Sequence, residues 1–400
     1  MKLLHRINLN VSGGVENQFR AFVAHDAARR GMTHDVLVGD PVHPDLSADI
    51  VDRTGAVYSY KQWRGFKLPR RPRICRDRNL DRIVRVSGAD ALLAWSAFAK
   101  PALANACRGH GLPLIYREGG AAWGGANPDS ARVFLDEVSG AVCNTNASRR
   151  MLELKWGYRG PSRICLGGIR PDALLPSPKP RKPRETTILG CASRLVSIKG
   201  TALAIHALAV LREQGVSAVL RVAGGGPDRA DLEALATRLG VSEHVAFLGP
   251  QRDMAAFYRD IDIFLHPALR EPLGNVCIEA AANGCIVIAG RVDGLAETVE
   301  HDVTGITLPQ TLDLDRYHRL GGRLSGLPDL VYDPDSDSLR ELRCLDPDDL
   351  ARAVADLLAD PDRYARLSAA AIDRTRNRFR FDRYVEEMVR AIHTFAGIGA

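Results

Sequence analysis

The sequence predicts an α/β protein built from two doubly wound, Rossmann-like domains. Strand-like apolar runs alternate with amphipathic helical runs, the alternation restarts after a proline-rich stretch near the middle, and 400 residues supply chain for two cores. Composition agrees, since 46% hydrophobic and 26% charged residues are ordinary for a folded, water-exposed chain. No run approaches the ~18 apolar residues that a membrane-spanning helix needs. Met1 to Arg6 is too short and too soon charged for a signal peptide.

The first domain opens with a strand from Lys2 to Leu9, a glycine turn at Gly13-Gly14 and a helix from Val15 to Gly31. Strands follow at His34 to Val38, Ala91 to Trp95, Leu112 to Tyr116, Gly140 to Asn144 and Arg163 to Leu166. The helices between them are read at Lys100 to His110 and Ser148 to Trp156. Residues 176–185, PSPKPRKPRE, hold four prolines and four basic residues, the composition of a linker. The second domain restarts with strands at Thr187 to Cys191, Ala218 to Ala223, Val245 to Leu248, Ile263 to Leu265 and Cys285 to Ala289. Its helices are read at Thr201 to Glu213, Asp228 to Leu239, Met254 to Asp260, Asn275 to Asn283 and Asp346 to Leu358, and a helical tail breaks near Phe379. The expected domains are 1–178, 179–378 and a closing helix over 379–400 that returns to the first. Two such domains imply an interdomain cleft as the site.

The net charge of +6 conceals an asymmetry: residues 1–180 carry 27 Lys+Arg against 16 Asp+Glu, and the remainder 27 against 32. Ten cations lie between Lys61 and Arg85, with Trp63 and Phe66 among them. Two readings stand: a solvated basic face, or contact with an anionic membrane surface or acidic acceptor. Nucleic acid is disfavoured, because no recognition module accompanies the charge.

The eight cysteines form no C-x-x-C pair and no cluster with histidine, so free buried thiols in a reducing cytoplasm are expected, with no metal centre. Asp260-Ile261-Asp262 is formally a D-x-D, but the pattern recurs elsewhere in the chain, at 313–315, 333–335 and 335–337 among other places, which makes chance cheap. No G-x-S-x-G is present to support a serine hydrolase.

The most informative stretch is FLHPALREPLGNVCIEAAANG, residues 264–284. Pro272 separates a loop carrying Glu271 from a helix carrying Glu279, and Gly274-Asn275 opens that helix. Unpaired N–H groups and a partial positive charge at the helix start suit an anion, with two carboxylates nearby for hydroxyl groups. Arg194 and Lys199 follow the first strand of the second domain, where a doubly wound sheet binds its ligand, and two cations there can clamp a diphosphate. The Gly224-Gly225-Gly226 turn lacks G-x-G-x-x-G spacing, so it reads as a tight approach to a nucleotide rather than as an NAD fingerprint.

Taken together, R-x4-K-G at Arg194 to Gly200, AGGGPDRADLEALA, VAFLG, E-x7-E from Glu271 to Glu279, VDGLAE and TGITL resemble the donor domain of retaining GT-B glycosyltransferases, in particular family 4. SGGVENQF at 12–19 resembles the first domain more loosely. The resemblance implies that Arg194 and Lys199 hold a donor diphosphate, Glu279 the ribose hydroxyls and Glu271 the donor sugar. It further implies that the Gly274-Asn275 backbone and Gly224 meet the donor and that Gly14 closes over the phosphates. It implies a nucleotide-diphosphate sugar as co-substrate, no cofactor and no metal, and a glycan or lipid-linked acceptor. The cysteine usage and the basic stretch from Lys61 to Arg85 point to the cytoplasm or the inner face of its membrane. His266-Pro267 departs from the family's usual Pro-Ser, and Arg117-Glu118 stands where a histidine is common, leaving these two as acceptor-side candidates. A sugar-nucleotide epimerase and a non-catalytic sugar-nucleotide binder remain as alternatives.

Overall fold

The computed structural model describes residues 1–398 apart from 12, 30 and 96, so Ser12 of the SGGVENQF run lies outside the described residues. The chain divides into two compact units, Met1–Gly168 with the segment from Phe381 onward, and Ile169–Arg380. The division falls at 168/169 rather than at the expected 178/179.

The first unit runs β1 (Lys2–Arg6), α1 (Gly14–Arg29), β2 (Thr33–Val38), α2 (Pro44–Arg53), β3 (Val57–Ser59), a hairpin of β4 (Gln62–Trp63) and β5 (Phe66–Lys67), and α3 (Ile74–Ser87). It continues β6 (Ala91–Trp95), α4 (Pro101–Gly109), β7 (Leu114–Glu118), α5 (Pro128–Leu135), β8 (Val138–Cys143), α6 (Asn146–Trp156) and β9 (Ser162–Ile164). Its parallel sheet has the order β3-β2-β1-β6-β7-β8-β9. The order reverses between β1 and β6, whose pairing runs from Leu3↔Ala91 to Arg6↔Ala94. All five residues of β6 are buried, as expected of a strand covered on both faces. Phe19, Phe22 and Val23 of α1 pack on that sheet beside Phe381, Tyr384, Met388 and Phe395 of the C-terminal segment. Gly140 makes room for this docking, since a Cβ there would overlap the Phe395 ring.

Beneath α1 lies a buried polar chain. Trp95 Nε1 donates to His5 Nδ1 at 3.0 Å, which leaves the His5 proton on Nε2, 2.9 Å from His34 Nδ1. His34 Nε2 then donates to Asp26 Oδ2 at 3.0 Å. Every ring nitrogen of the two imidazoles thus has a hydrogen-bond partner.

The second unit contains β10 (Thr187–Ala192), α7 (Thr201–Glu213), β11 (Ala218–Ala223), α8 (Arg229–Arg238), β12 (Val245–Gly249), α9 (Met254–Asp260), β13 (Ile263–His266) and α10 (Asn275–Ala282). After these come β14 (Ile286–Gly290), α11 (Leu295–Thr298), β15 (Gly305–Leu308), α12 (Leu314–Arg319), a hairpin of β16 (Leu330–Asp333) and β17 (Ser338–Glu341), α13 (Pro347–Ala359) and α14 (Pro361–Arg378). The helix α15 (Phe381–Phe395) closes the first unit. The second sheet is β12-β11-β10-β13-β14-β15, all parallel, with its reversal between β10 and β13.

The segment 176–185 is not a free linker. Its prolines keep the chain extended, and its arginines fasten it to the second unit. Arg181 donates to the carbonyls of Tyr258 at 2.6 Å, Arg259 at 3.0 Å and Asn283 at 3.2 Å, and Arg184 pairs with buried Asp262 at 3.1 Å. Both aspartates of the D-x-D are therefore engaged by arginine, Asp260 with Arg221 at 3.2 Å.

Candidate active site of the second unit

Strand β10 delivers its chain into the loop 193–200, and β13 delivers its chain into 267–274, so both loops leave the carboxyl ends of the two strands that flank the reversal. Gly200 makes their close approach possible. Its φ is +67°, and a Cβ would run into the carbonyl oxygen of Pro267. Leu269 N also donates to Ile198 O at 2.9 Å, tying one loop to the other. Gly224 is similar at φ +128°, where a Cβ would strike Ser193 O, so the glycine turn packs on the same loop.

These constraints bring Lys199 Nζ to 2.6 Å from Glu271 Oε2. His266, the last residue of β13, donates from Nε2 to the same oxygen at 2.9 Å and stacks on Phe264 with rings 14° apart. Burial alone would raise the Glu271 carboxyl. The Lys199 charge and the His266 hydrogen bond outweigh it and hold the group ionised, well below the usual carboxylate range. The backbone of Glu271 is fixed as well. Its N–H donates to Asp293 Oδ2 at 3.1 Å and its carbonyl accepts from Gly294 N, while the other Asp293 oxygen accepts from Tyr332 N at 2.8 Å.

Pro272 and Leu273 separate this cluster from α10, whose N-cap is Gly274 at φ +86°. No side chain caps the helix, so its first N–H groups are available to an anion, and Asn275 occupies its first position. Glu279 lies one turn further along and is buried. Its Oε2 accepts from Tyr258 OH at 3.0 Å, and its Oε1 lies 3.5 Å from Arg170 Nη2. Burial raises the Glu279 carboxyl, an effect that Arg170 and Tyr258 offset only in part. Arg194 stands exposed on the loop after β10.

Of the expected residues, Lys199 and Glu271 are in contact, Gly274 and Asn275 open the helix that carries Glu279, and Gly224 packs against the residue preceding Arg194. Gly14, Arg117 and Glu118 belong to the first unit. Gly14 is exposed at the first position of α1. Arg117 and Glu118 end β7 and are buried, at 4% and 0% exposure. Glu118 accepts from Tyr116 OH and from the N–H groups of Gly120 and Ala122, which folds the chain sharply after the strand. Sequence reasoning passed over His266, Asp293 and Arg170. The position of His266 at a strand end was a usable signal, whereas nothing local links Arg170 to Glu279.

Residues 176–320 match the model of the family described as Glycosyl transferases group 1. The chain is similar to a GDP-mannose-dependent alpha-(1-6)-phosphatidylinositol monomannoside mannosyltransferase of Mycolicibacterium smegmatis, 33% identical over 51% of this chain and 48% of that protein. It is also similar to a D-inositol 3-phosphate glycosyltransferase of Streptomyces bingchenggensis, 33% identical over 52% of this chain and 45% of that one. The chain thus spans about half the length of these curated relatives. Among solved structures, Anabaena HepE in complex with UDP superposes with a TM-score of 0.75 at 18% identity, covering 98% of this chain and 100% of that chain. The two-unit α/β fold is accordingly GT-B, as the sequence resemblance implied. Residues 176–320, which carry the Lys199–Glu271 cluster and the uncapped helix, are thus similar to the glycosyl transferases group 1 family.

Proposed function

We propose that this protein transfers a sugar, with retention of configuration, from a UDP- or GDP-linked donor to a hydroxyl of a glycan, glycolipid, lipopolysaccharide or exopolysaccharide precursor. The observation that carries the reading is the shared contact of Lys199 and His266 on Glu271, beside the uncapped start of α10 at the sheet reversal. A relative named for GDP-mannose and a neighbour in complex with UDP support a nucleoside diphosphate as the leaving group.

In this reading Arg194, Lys199 and the α10 N–H groups stabilise charge growing on the departing diphosphate. Each such donor contributes on the order of 3 kcal/mol to transition-state stabilisation. The reading routes no step through a metal. Lys199 is engaged by Glu271, so a diphosphate competes for the ammonium. Glu271, still oriented by His266 and by its backbone bond to Asp293, then accepts hydrogen bonds from the sugar. Glu279 has lone pairs beyond those used by Tyr258 and Arg170, enough for ribose hydroxyls. Retention rests on the family resemblance, with leaving-group phosphate assisting the acceptor.

The test is a thermal-shift panel of UDP, GDP, ADP and their sugars, followed by NMR of the product anomeric proton with the stabilising donor. Transfer with retention is expected, and Lys199→Ala and Glu279→Ala should each lose donor binding and turnover. An epimerised donor, or binding without turnover, would select the epimerase or the non-catalytic binder instead.

Location is a second reading. Among the described residues no helix is long and apolar enough to cross a membrane. Trp63 and Phe66 face each other across the β4-β5 hairpin at 49% and 79% exposure, flanked by Arg64 and Lys67. We propose that this tip rests in the interface of an anionic membrane. Co-sedimentation with phosphatidylglycerol vesicles should be lost in Trp63→Ser/Phe66→Ser, and retention in that variant would dismiss the idea.

A further inference from the structure

We infer that the first unit carries a binding trough for a ligand bearing several phosphoryl groups, with Arg6 at its floor. Three neighbouring cavities, of about 850, 430 and 420 Å³, lie at the carboxyl ends of the strands around the β1/β6 reversal. Lys100 lines all three, Arg73 lines the first two, and Arg6 lines the second and third. A doubly wound sheet binds ligands in the crevice at such a reversal.

Arg6 ends β1 and is only 7% exposed. Its guanidinium lies over the Tyr60 ring at 5.2 Å and donates from Nη2 to Asn8 Oδ1 at 3.1 Å. Its Nη1 makes no well-formed hydrogen bond, although Tyr60 and Asp40 act on the guanidinium electrostatically. A buried charged donor left unsatisfied is costly, so the acceptor is expected to come from a ligand. The rim points to the same chemistry. Lys67, Arg70, Arg71, Arg73 and Lys100 have no carboxylate at ion-pair distance among the described residues, and Lys61 is paired only with Asp40. Asp77 is the one other acid of the largest cavity. Several unneutralised cations around a hollow repel one another and attract an anion, and guanidinium forks match phosphoryl oxygens bidentately. The concavity favours a discrete polyanion over a flat bilayer. That this ligand is the sugar acceptor rests on the proposed transferase activity; that the trough binds phosphoryl groups does not.

The experiment is calorimetric titration of the full chain with inorganic tripolyphosphate, read independently of turnover. Arg73→Ser/Lys100→Ser is expected to weaken the trough site about 100-fold, one factor of ten for each charged contact removed. Arg6→Lys keeps the charge without the planar fork and should lose about tenfold. Lys199→Ser should leave this site intact, and melting curves confirm that each variant folds. Tripolyphosphate binding unchanged in the double variant but lost in Lys199→Ser would overturn the inference. So would binding to phosphatidylglycerol vesicles with none to tripolyphosphate, whereas tripolyphosphate binding that survives without phosphatidylglycerol supports a soluble phosphorylated ligand.

Discussion

Glu271→Gln is expected to move nucleotide affinity and turnover in opposite directions. The Lys199–Glu271 contact of 2.6 Å is part-buried, and at an effective dielectric of about 20 its Coulomb energy is about 6 kcal/mol before solvation is counted. After exchange with water, a hydrogen bond between charged groups retains about 1.5–3 kcal/mol, and a diphosphate must displace or share it. Glutamine removes the competing charge while still accepting a hydrogen bond, so the lower end applies. Kd for the preferred nucleoside diphosphate should fall about tenfold. Turnover with the intact sugar nucleotide should fall about 100-fold or more, because the carboxylate proposed to meet the sugar is gone. Titration calorimetry with the free diphosphate and single-turnover transfer with the donor separate the two effects. Lys199→Met is the counter-variant, expected to weaken the diphosphate about tenfold or more. If Glu271→Gln weakens the diphosphate as much as Lys199→Met does, Glu271 organises the lysine for phosphate instead of competing for it, and the exchange step proposed above is wrong.

Two further outcomes follow from the folded chain itself. Gly200→Ala should destabilise the second unit by about 3 kcal/mol or more, combining left-handed strain with the Pro267 clash, while Gly215→Ala at φ +81° with open space should cost about 1 kcal/mol. At about 2–4 °C per kcal/mol, calorimetry should separate the two melting temperatures, and equal shifts would discredit the close-approach argument. Burial holds the His5 imidazole well below its ordinary pKa, with His34 adding to the effect. A depressed folded value means that the unfolded chain binds more protons on acidification. The stabilisation is therefore complete above about pH 6.5 and is lost as pH falls from there. The melting temperature should fall between pH 7 and pH 5, with a smaller slope in His5→Gln; an identical slope would place the titrating group elsewhere.

What could be read from the sequence was whatever local order encodes. Lys199, Gly200, Gly274 and Glu279 sit at fixed offsets from strand and helix boundaries, so pattern alone placed them at the ends of β10 and β13. His266 enters the sequence reading only as a departure from the family's usual Pro-Ser, although its position closing β13 turns it toward Glu271. Arg170 and Glu279 are 109 residues apart, and only the fold brings them together. The helix α2 was missed because, among its described side chains, Leu46 and Ile50 are the fully buried apolar ones after a Pro start, too few to show a period. The 176–185 segment misled for a different reason: proline composition reports extended backbone correctly but says nothing of whether Arg181 and Arg184 find carbonyls and a buried aspartate to grip.

The charge asymmetry takes its meaning from which cations find acids in the fold. A surplus of cations in residues 1–180 permits either a solvated face or an anion site, and the distinction lies in pairing. In the second unit, cations and acids are largely matched: Arg291 takes Asp335 at 2.6 Å, Arg363 takes Asp302 at 2.8 Å, and Arg374 and Arg378 share Glu300 at 2.8 and 3.2 Å. Around the first-unit trough they are not, and acids were within reach of the same fold, since Asp40 already binds Lys61 at 2.6 Å. A solvated face would tolerate charges spread outward on a convex surface. Cations gathered around a cavity with few carboxylate partners, above a buried arginine whose Nη1 makes no well-formed hydrogen bond, repel one another, and an anionic ligand relieves that repulsion.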